Sequence, residues 1–451
     1  MMSLHDAAQM AGGRVSGGSP VFTGVSTDTR TLRAGDLFVA LRGERFDGHA
    51  FLSQAKQAGA IAALVDSAHA GEYPLPVIVV DDTKLALGAL ARGWRARFAP
   101  ALVALTGSNG KTTVKEMLAS ILRAEAGNDA VLATAGNLNN DIGLPLTLLR
   151  LRAQHRCCAI ELGMNHKGEI AYLARIAQPT VALVNNAQRE HLEFMNSVAE
   201  VAAENASVYG ALPAAGVAVV NADDAHAALF RRAAGMRKVV DFGLDAPAAV
   251  GGRYTLKHLS SEIRIRTAEG EVQATLAIPG LHNVRNALAA AACARAAGIA
   301  LKSIAAGLNA FRPYTGRLQV KRAADGTTVI DDTYNANPDS VRAAIDVLVG
   351  CPAPTALVLG DMGEVGDNGA QFHREVGAYA REKGVSSLLA IGEASSQAAA
   401  AFGAGGRHFQ RIDDLVAAVR GATVLVKGSR FMKMERVVAA LTGEPATGGG
   451  H

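Results

Sequence analysis

Gly107, Gly110, Lys111 and Thr112 carry the first chemistry legible in the sequence, within Leu102-Val-Ala-Leu-Thr-Gly-Ser-Asn-Gly-Lys-Thr-Thr113. Paired glycines let a backbone turn approach a phosphate closely. A lysine neutralises its outer oxygens, and a threonine hydroxyl can ligate a magnesium ion. The longer Walker pattern has a glycine at the position of Leu105, so the motif here is the shorter Gly-x-x-Gly-Lys-Thr. The flanks supply the positioning elements. Leu102 to Leu105 predicts a buried strand. Val114, Met117, Leu118, Ile121 and Leu122 recur at helical spacing, which predicts a helix opening at Lys111. Ser108, Asn109 and Thr113 complete a strand–turn–helix whose free N–H groups attract negative charge. A solvated Gly-Lys-Thr turn is the bland alternative; the strand and the amphipathic helix weigh against it.

Other polar groups fall at the ends of predicted strands. Ala159-Ile-Glu-Leu-Gly163 puts Glu161 where a carboxylate could complete a magnesium site with Thr112. Val181-Ala-Leu-Val-Asn185 leads to His191, a lone histidine of the kind that is more often structural than ligating. Thr134 to Pro145 carries Asn137, Asn139 and Asn140, whose amides can read phosphates, sugars or amides, or merely form turns. Asp331-Asp-Thr-Tyr-Asn-Ala-Asn-Pro338 contains Asn335 and Asn337, and Lys427-Gly-Ser-Arg430 offers two cations and a hydroxyl to a carboxylate or phosphate. Near the start, Ser26-Thr-Asp-Thr-Arg30 and Arg42-Gly-Glu-Arg-Phe-Asp-Gly-His49 could hold a phosphorylated ligand or could be solvated turns.

The chain has 451 residues, enough for about three domains, and is 49% apolar, which places it among globular proteins. A net charge of +4 with no run of basic residues gives no footing for nucleic-acid binding. Cys157, Cys158, Cys293 and Cys351 lack metal-ligand spacing and fit buried thiols in a reducing compartment. The N-terminus does not read as a signal peptide, and no apolar run reaches the roughly 18 residues of a membrane span. The expectation is a cytoplasmic protein without membrane insertion. Residues 1–82 read as a small mixed α/β domain, with strands at Asp36–Leu41 and Val77–Val80 and a helix over His49–Ala60 that buries Phe51, Leu52, Ala55 and Ala58. Residues 83–311 alternate strand and helix, predicting a parallel sheet with helices on both faces whose strand ends gather Thr106, Glu161 and Asn185. Residues 250–279 predict an antiparallel appendage on that sheet, and His282–Ala297 a helix. Residues 312–451 predict a second α/β domain, Rossmann-like, with strands at Thr327–Asp331, Thr355–Gly360, Ser387–Ile391 and Thr423–Lys427.

Taken together, Thr106-Gly-Ser-Asn-Gly-Lys-Thr-Thr113, Ser26-Thr-Asp-Thr-Arg30, Gly136-Asn-Leu-Asn-Asn140, Asp331 to Pro338, Leu359-Gly-Asp-Met-Gly-Glu364 and Lys427-Gly-Ser-Arg430 resemble the Mur ligase family over nearly the whole chain. Within it, the combination resembles the member that adds D-alanyl-D-alanine to UDP-N-acetylmuramoyl-tripeptide. The resemblance implies an ATP- and Mg2+-dependent, monomeric amide ligase of peptidoglycan precursor synthesis working through an acyl phosphate. It implies catalytic duty for Lys111, Glu161 and His191, and metal binding by Thr112, Glu161 and His191. Asn286 would face adenine, and Arg317 and Asp331 would reach ATP from the last domain. Ser26, Thr27, Arg30, Arg45, Asp47 and His49 would hold the UDP group. Asn137, Asn139 and Asn140 would bind substrate, as would Asn335, Asn337, Lys427, Ser429 and Arg430 near the dipeptide. Many members carry a carbamoylated lysine where this chain has Asn205, which is expected to act through its carbonyl oxygen or a water. The alternatives are another Mur-type or folylpolyglutamate-type ligase, or a nucleotide-switched P-loop binding module.

Overall fold

The computed structural model describes residues 1–43, 46–69 and 72–445. Arg45 lies outside the described residues. Three larger sheets follow one another along the chain. The first has five strands in the order Arg14–Ser16, Val77–Val80, Ala62–Asp66, Asp36–Val39, Gly24–Ser26. Only Arg14–Ser16 runs antiparallel to its neighbour. The expected long helix is a short 3-10 turn, Gly48–Phe51, followed by Leu52–Gln57, which buries Leu52 and Ala55 but leaves Phe51 and Ala58 exposed. Ala62–Asp66 was not separable from that helix by sequence, because a five-residue apolar run has no distinctive period.

The second sheet has six parallel strands: Val131–Ala133, Cys157–Glu161, Ala101–Thr106, Val181–Val184, Val217–Asn221, Lys238–Phe242. Its central strands are apolar on both faces because both are covered. Leu102, Ala104, Cys158, Ile160 and Ala182 face one core, which includes Leu87 and Leu90 of the helix Thr83–Arg95 and Ile170 of Glu169–Ala177. Val103, Leu105, Ala159 and Leu183 face the other, with Val114 and Leu118 of Lys111–Ala126 and Leu288 of Leu281–Ala296. The helix Thr83–Arg95 also shares its core with Leu4 and Ala7 of the helix Leu4–Ala11. Residues before Ala101 therefore brace the phosphate-loop strand from one side. Leu105 is wholly buried and still within the strand, so no glycine is needed until the chain turns at Gly107. Truncating such a side chain typically costs about 2–5 kcal/mol.

From Ala101–Thr106 the chain goes to the edge strand Val131–Ala133, returns through Cys157–Glu161 beside its starting strand, and then crosses to Val181–Val184 on the other side. The carboxyl end of Ala101–Thr106 is thus a topological switch point, the usual ligand crevice of an open α/β sheet. Residues 251–276 form a separate three-stranded antiparallel sheet, not an extension of the six-stranded one; a lone bridge, Phe242 to Val250, is the ladder contact with it. Ile263, Ile265, Ala274 and Leu276 turn inward onto the core that holds the helices Leu281–Ala296 and Leu301–Ala310.

The third sheet runs Gln319–Arg322, Thr328–Asp332, Thr423–Lys427, Thr355–Gly360, Ser387–Ile391, Gly406–Phe409. Gln319–Arg322 is antiparallel and the rest are parallel. The α/β class with parallel sheets is as expected. The edge strands Gln319–Arg322 and Gly406–Phe409 escaped the sequence reading because both are short and polar.

Candidate active site

The helix Lys111–Ala126 starts without a side-chain cap, so the N–H groups of its first turn are left for an anion. Gly110 precedes it at φ 83°, and a Cβ there would meet Asn286 Oδ1 at 2.4 Å. Gly107, at φ 134°, backs onto Asn185 and Asn186 at 3.0–3.1 Å. Both glycines are therefore required, by conformation and by space. Lys111 Nζ folds back onto Gly107 O at 2.6 Å and Ser108 O at 3.0 Å, and pairs with Glu190 at 3.2 Å.

Glu161 is buried beside this helix. Its Oε1 accepts from Asn139 Nδ2 at 2.8 Å and from Thr112 Oγ1 at 3.4 Å. Its Oε2 is buried with no partner. A carboxylate oxygen left bare next to a threonine hydroxyl is costly unless a cation completes it, so the residues present fit a divalent ion. Among the described residues no three His, Cys, Asp or Glu side chains form a preformed cage. Magnesium needs none, since it binds through one or two carboxylates plus phosphate and water oxygens.

Two cavities meet at this loop. The larger, about 770 Å³, is lined by Lys111, Asn137, Asn139, Asn140, Glu161 and His191 among others, and by Arg317, Asn335, Glu364 and Arg430 from the third sheet's side. The smaller, about 470 Å³, is lined by Asn185, Asn286, His282, Asp332 and Lys427. Of the predicted site residues Asn109, Gly110 and Arg317 border both, as does Ser340, which the sequence reading did not name. Arg317 lies 4.1 Å over the Tyr334 ring, brings Nη2 to 3.4 Å from Thr112 Oγ1, and buries an Nε that has no partner. Asn286 accepts from Asn185 Nδ2 at 3.0 Å and donates to Asn283 at 3.1 Å, a run of amides facing the smaller cavity. Burial pushes the nearby His282 down to about 4, which favours a neutral ring.

The third sheet contributes differently from expectation at several positions. Asp331 is buried away from both cavities, accepting from the Thr333 N–H and hydroxyl, with burial raising its pKa. Asp332 takes the cavity position, because neighbouring strand residues face opposite sides. It pairs with Lys427 at 2.6 Å, and burial pulls that ammonium's pKa down. Lys427 therefore borders the smaller cavity, apart from Arg430 in the larger. Ser429 spends its hydroxyl on Ala336 O and the Gly363 N–H and lines neither cavity. Asn337 caps the helix Pro338–Val349 and also donates to Asn109 Oδ1 at 2.9 Å, tying the third sheet to the phosphate loop. Asn205 is wholly buried. Its carbonyl accepts from Thr106 Oγ1 at 2.7 Å and its amide donates to Val201 O, so it does not reach the cavity. Neighbouring Glu204 caps the helix Glu169–Ala177 through the Gly168 and Ile170 N–H groups.

His191 and Glu364 meet across the two sheets. Nδ1 of His191 lies 2.7 Å from Glu364 Oε2, off the axis of an aligned hydrogen bond, and both residues hold left-handed backbone (φ 54° and 58°). Strain of this kind concentrates at functional sites. The imidazole holds the Glu364 carboxyl below its ordinary range. Glu364 sits in a segment already quoted from the sequence, but nothing local marked it as a partner of a histidine 173 positions earlier.

Among the described residues, the first sheet's loops stay out of both cavities. Ser26, residues 40–43 and Asp66 share the carboxyl edge of its parallel strands. Ser26 and Asp28 form a local turn, Arg30 pairs with Asp28 while otherwise exposed, and Thr27 is half-buried. His49 is buried with both ring nitrogens engaged, by Asp47 at 2.6 Å and by the Asp66 N–H at 3.0 Å. The structure thus gives Asp47 and His49 a part in holding the loop to the strand Ala62–Asp66.

Comparison with known proteins decides the family. The chain is 42% identical over 452 residues to UDP-N-acetylmuramoyl-tripeptide–D-alanyl-D-alanine ligase of Escherichia coli K12, covering 98% of each. The chain belongs to the Mur ligase family. It is accordingly an enzyme, a ligase. Family profiles match in three places: the Mur ligase catalytic domain over 21–95, the Mur ligase middle domain over 105–294 and the glutamate ligase domain over 316–430. The ligase of the same description from Bacillus subtilis is 35% identical, over 94% of each chain. MurF from Acinetobacter baumannii superposes with a TM-score of 0.91 at 35% identity, covering 98% of this Mur ligase and 99% of that chain. MurF from Thermotoga maritima, solved in complex with ADP, gives 0.81 at 25% identity, covering 94% and 98%. Among the described residues of this Mur ligase no helix is long and apolar enough to cross a membrane.

Proposed function

We propose that this Mur ligase joins D-alanyl-D-alanine to UDP-N-acetylmuramoyl-tripeptide with conversion of ATP to ADP and phosphate, in the cytoplasm and as a monomer. We assign the UDP group to residues 1–82, ATP to 83–311, and the dipeptide and closure over ATP to 312–451. The observation that carries this reading is the junction of the two cavities at Asn109, Gly110 and Arg317. A nucleoside in the amide-lined smaller cavity would extend its phosphates over the helix start into the larger one, where carboxylate and amine would meet.

In this reading a carboxylate oxygen of the tripeptide attacks the γ-phosphorus and ADP leaves. The dipeptide amine then attacks the acyl carbon, loses a proton, and expels phosphate. Lys111 must leave its carbonyl partners and Glu190 to meet the phosphates, and its charge then offsets what builds up there. Arg317, with a free Nε, serves the same charge from the opposite side. Thr112 and Glu161 would hold Mg2+, which when bound offsets phosphate charge; His191 is a further candidate ligand. Asn137, Asn139 and Asn140, with Asn335 and Arg430, would orient the acyl and amine groups.

Phosphate release from ATP tests the reading. It is expected only when UDP-N-acetylmuramoyl-tripeptide and D-alanyl-D-alanine are both present. Slow release with neither acceptor would point to a nucleotide switch, and release with folate and glutamate to the folylpolyglutamate class.

A further inference from the structure

Residues 188–190 hold the phosphate loop on one side and the third sheet's helices on the other. Gln188 Oε1 accepts from Asn109 Nδ2 at 2.6 Å, and the Gln188 N–H donates to Ser108 Oγ at 2.9 Å. Glu190 pairs with Lys111. Between them Arg189 points away from the loop. Its Nη2 and Nε clasp Asp339, at 2.6 and 3.1 Å, and its own N–H donates to Asp339 Oδ2 at 3.0 Å. Nη1 and Nη2 also reach Glu375 at 2.8 and 3.0 Å, and the guanidinium lies 5.3 Å from the Phe372 ring centre. Asp339 opens the helix Pro338–Val349, while Glu375 lies in Gly369–Glu382 and is shared with Arg342 at 3.0 Å. The side chains of Arg189 and Asp339 are each 24% exposed, so solvent screens this pair only in part. Only a planar fork can meet two carboxylates in this way.

We propose that Arg189 is the positioning residue through which docking of the third sheet's domain sets the phosphate loop and His191. With Asp339 and Glu375 in place, the backbone at 189 is fixed. The neighbouring side chains are then fixed against Asn109 and Lys111, and His191 follows two residues on. Without that clasp, the 188–191 segment keeps its covalent links but loses its outer anchor. The inference rests on the ligase reading above.

The test uses the full chain with R189A, R189K, D339N and the R189A/D339N pair, read by ligation kinetics, thermal melting and solution scattering. R189A is expected to lower kcat about 10²-fold, the scale of loss from a small misplacement of reacting groups, with KM for ATP little changed. R189K recovers only part. D339N acts in the same direction, and the double variant is no worse than R189A, since both act through one contact. Addition of ATP analogue and tripeptide compacts the wild type but not R189A. A purely structural contact would lower the melting temperature and leave kcat alone. Unchanged kcat in R189A and D339N, or multiplicative losses in the pair, would overturn the inference. Absence of ligation by the wild type would instead sink the reading of function.

Discussion

Replacing Lys111 by methionine is expected to lower kcat about 10³-fold, the scale on which a single charged or hydrogen-bonding group acts on a transferring phosphoryl. Methionine keeps the length of the stem and removes the ammonium. In the free protein that ammonium is held by two loop carbonyls and Glu190, so the variant loses local contacts at a partly buried spot, with the helix start and both glycines untouched. A modest fall in melting temperature, with far-ultraviolet dichroism unchanged, is the expected signature. ADP binding should weaken less than kcat falls, because the charge matters most where it accumulates, on the γ-phosphoryl in transit. Steady-state kinetics with calorimetric ADP binding checks this. An R317M variant should behave similarly if Arg317 faces Lys111 across the phosphates; loss of binding alone, with kcat intact, would contradict that placement.

The second large effect is expected at Glu161, where function and stability should part. E161Q keeps one oxygen as the acceptor for Asn139 and Thr112 and puts an NH2 in place of the other, so it removes a buried carboxylate oxygen that has no partner. Removing an uncompensated buried carboxylate relieves an unfavourable term. The ligand-free variant is therefore expected to melt at or above the wild-type temperature. With ATP analogue, Mg2+ should raise the melting temperature of the wild type and not of E161Q, and ligation should fall about 10²-fold or more. A wild-type protein indifferent to Mg2+ in both readouts would remove Glu161 from the role of metal ligand.

Much of this site was legible in the sequence because it is local. Gly107 to Thr113 announce themselves through a strand, two glycines and an amphipathic helix within a single stretch. Glu161 and Asn185 were legible as strand ends, since parallel sheets collect their ligands there. What escaped the sequence depended on side-chain facing or on distant pairing. Asp331 and Asp332 differ by one position, and only the direction of the strand pleat decides that Asp332 borders the cavity. Asn205 stands where many family members carry a metal-bridging lysine, yet its carbonyl is taken by the Thr106 hydroxyl, 99 positions away, and its NH2 by Val201 O. His49 was taken with exposed loop residues, but Asp66, on a strand that went unrecognised, draws it inward. The Arg189 clasp and the His191–Glu364 contact join segments more than 100 positions apart, and nothing near either partner signals the other.

The most direct test of the account follows the oxygen. If UDP-N-acetylmuramoyl-tripeptide is prepared with 18O in both oxygens of its terminal carboxylate, ligation through an acyl phosphate leaves one labelled oxygen in the amide and passes the other to inorganic phosphate. The account predicts that each phosphate released with ligated product carries one 18O. Ligated product accompanied by unlabelled phosphate would contradict it.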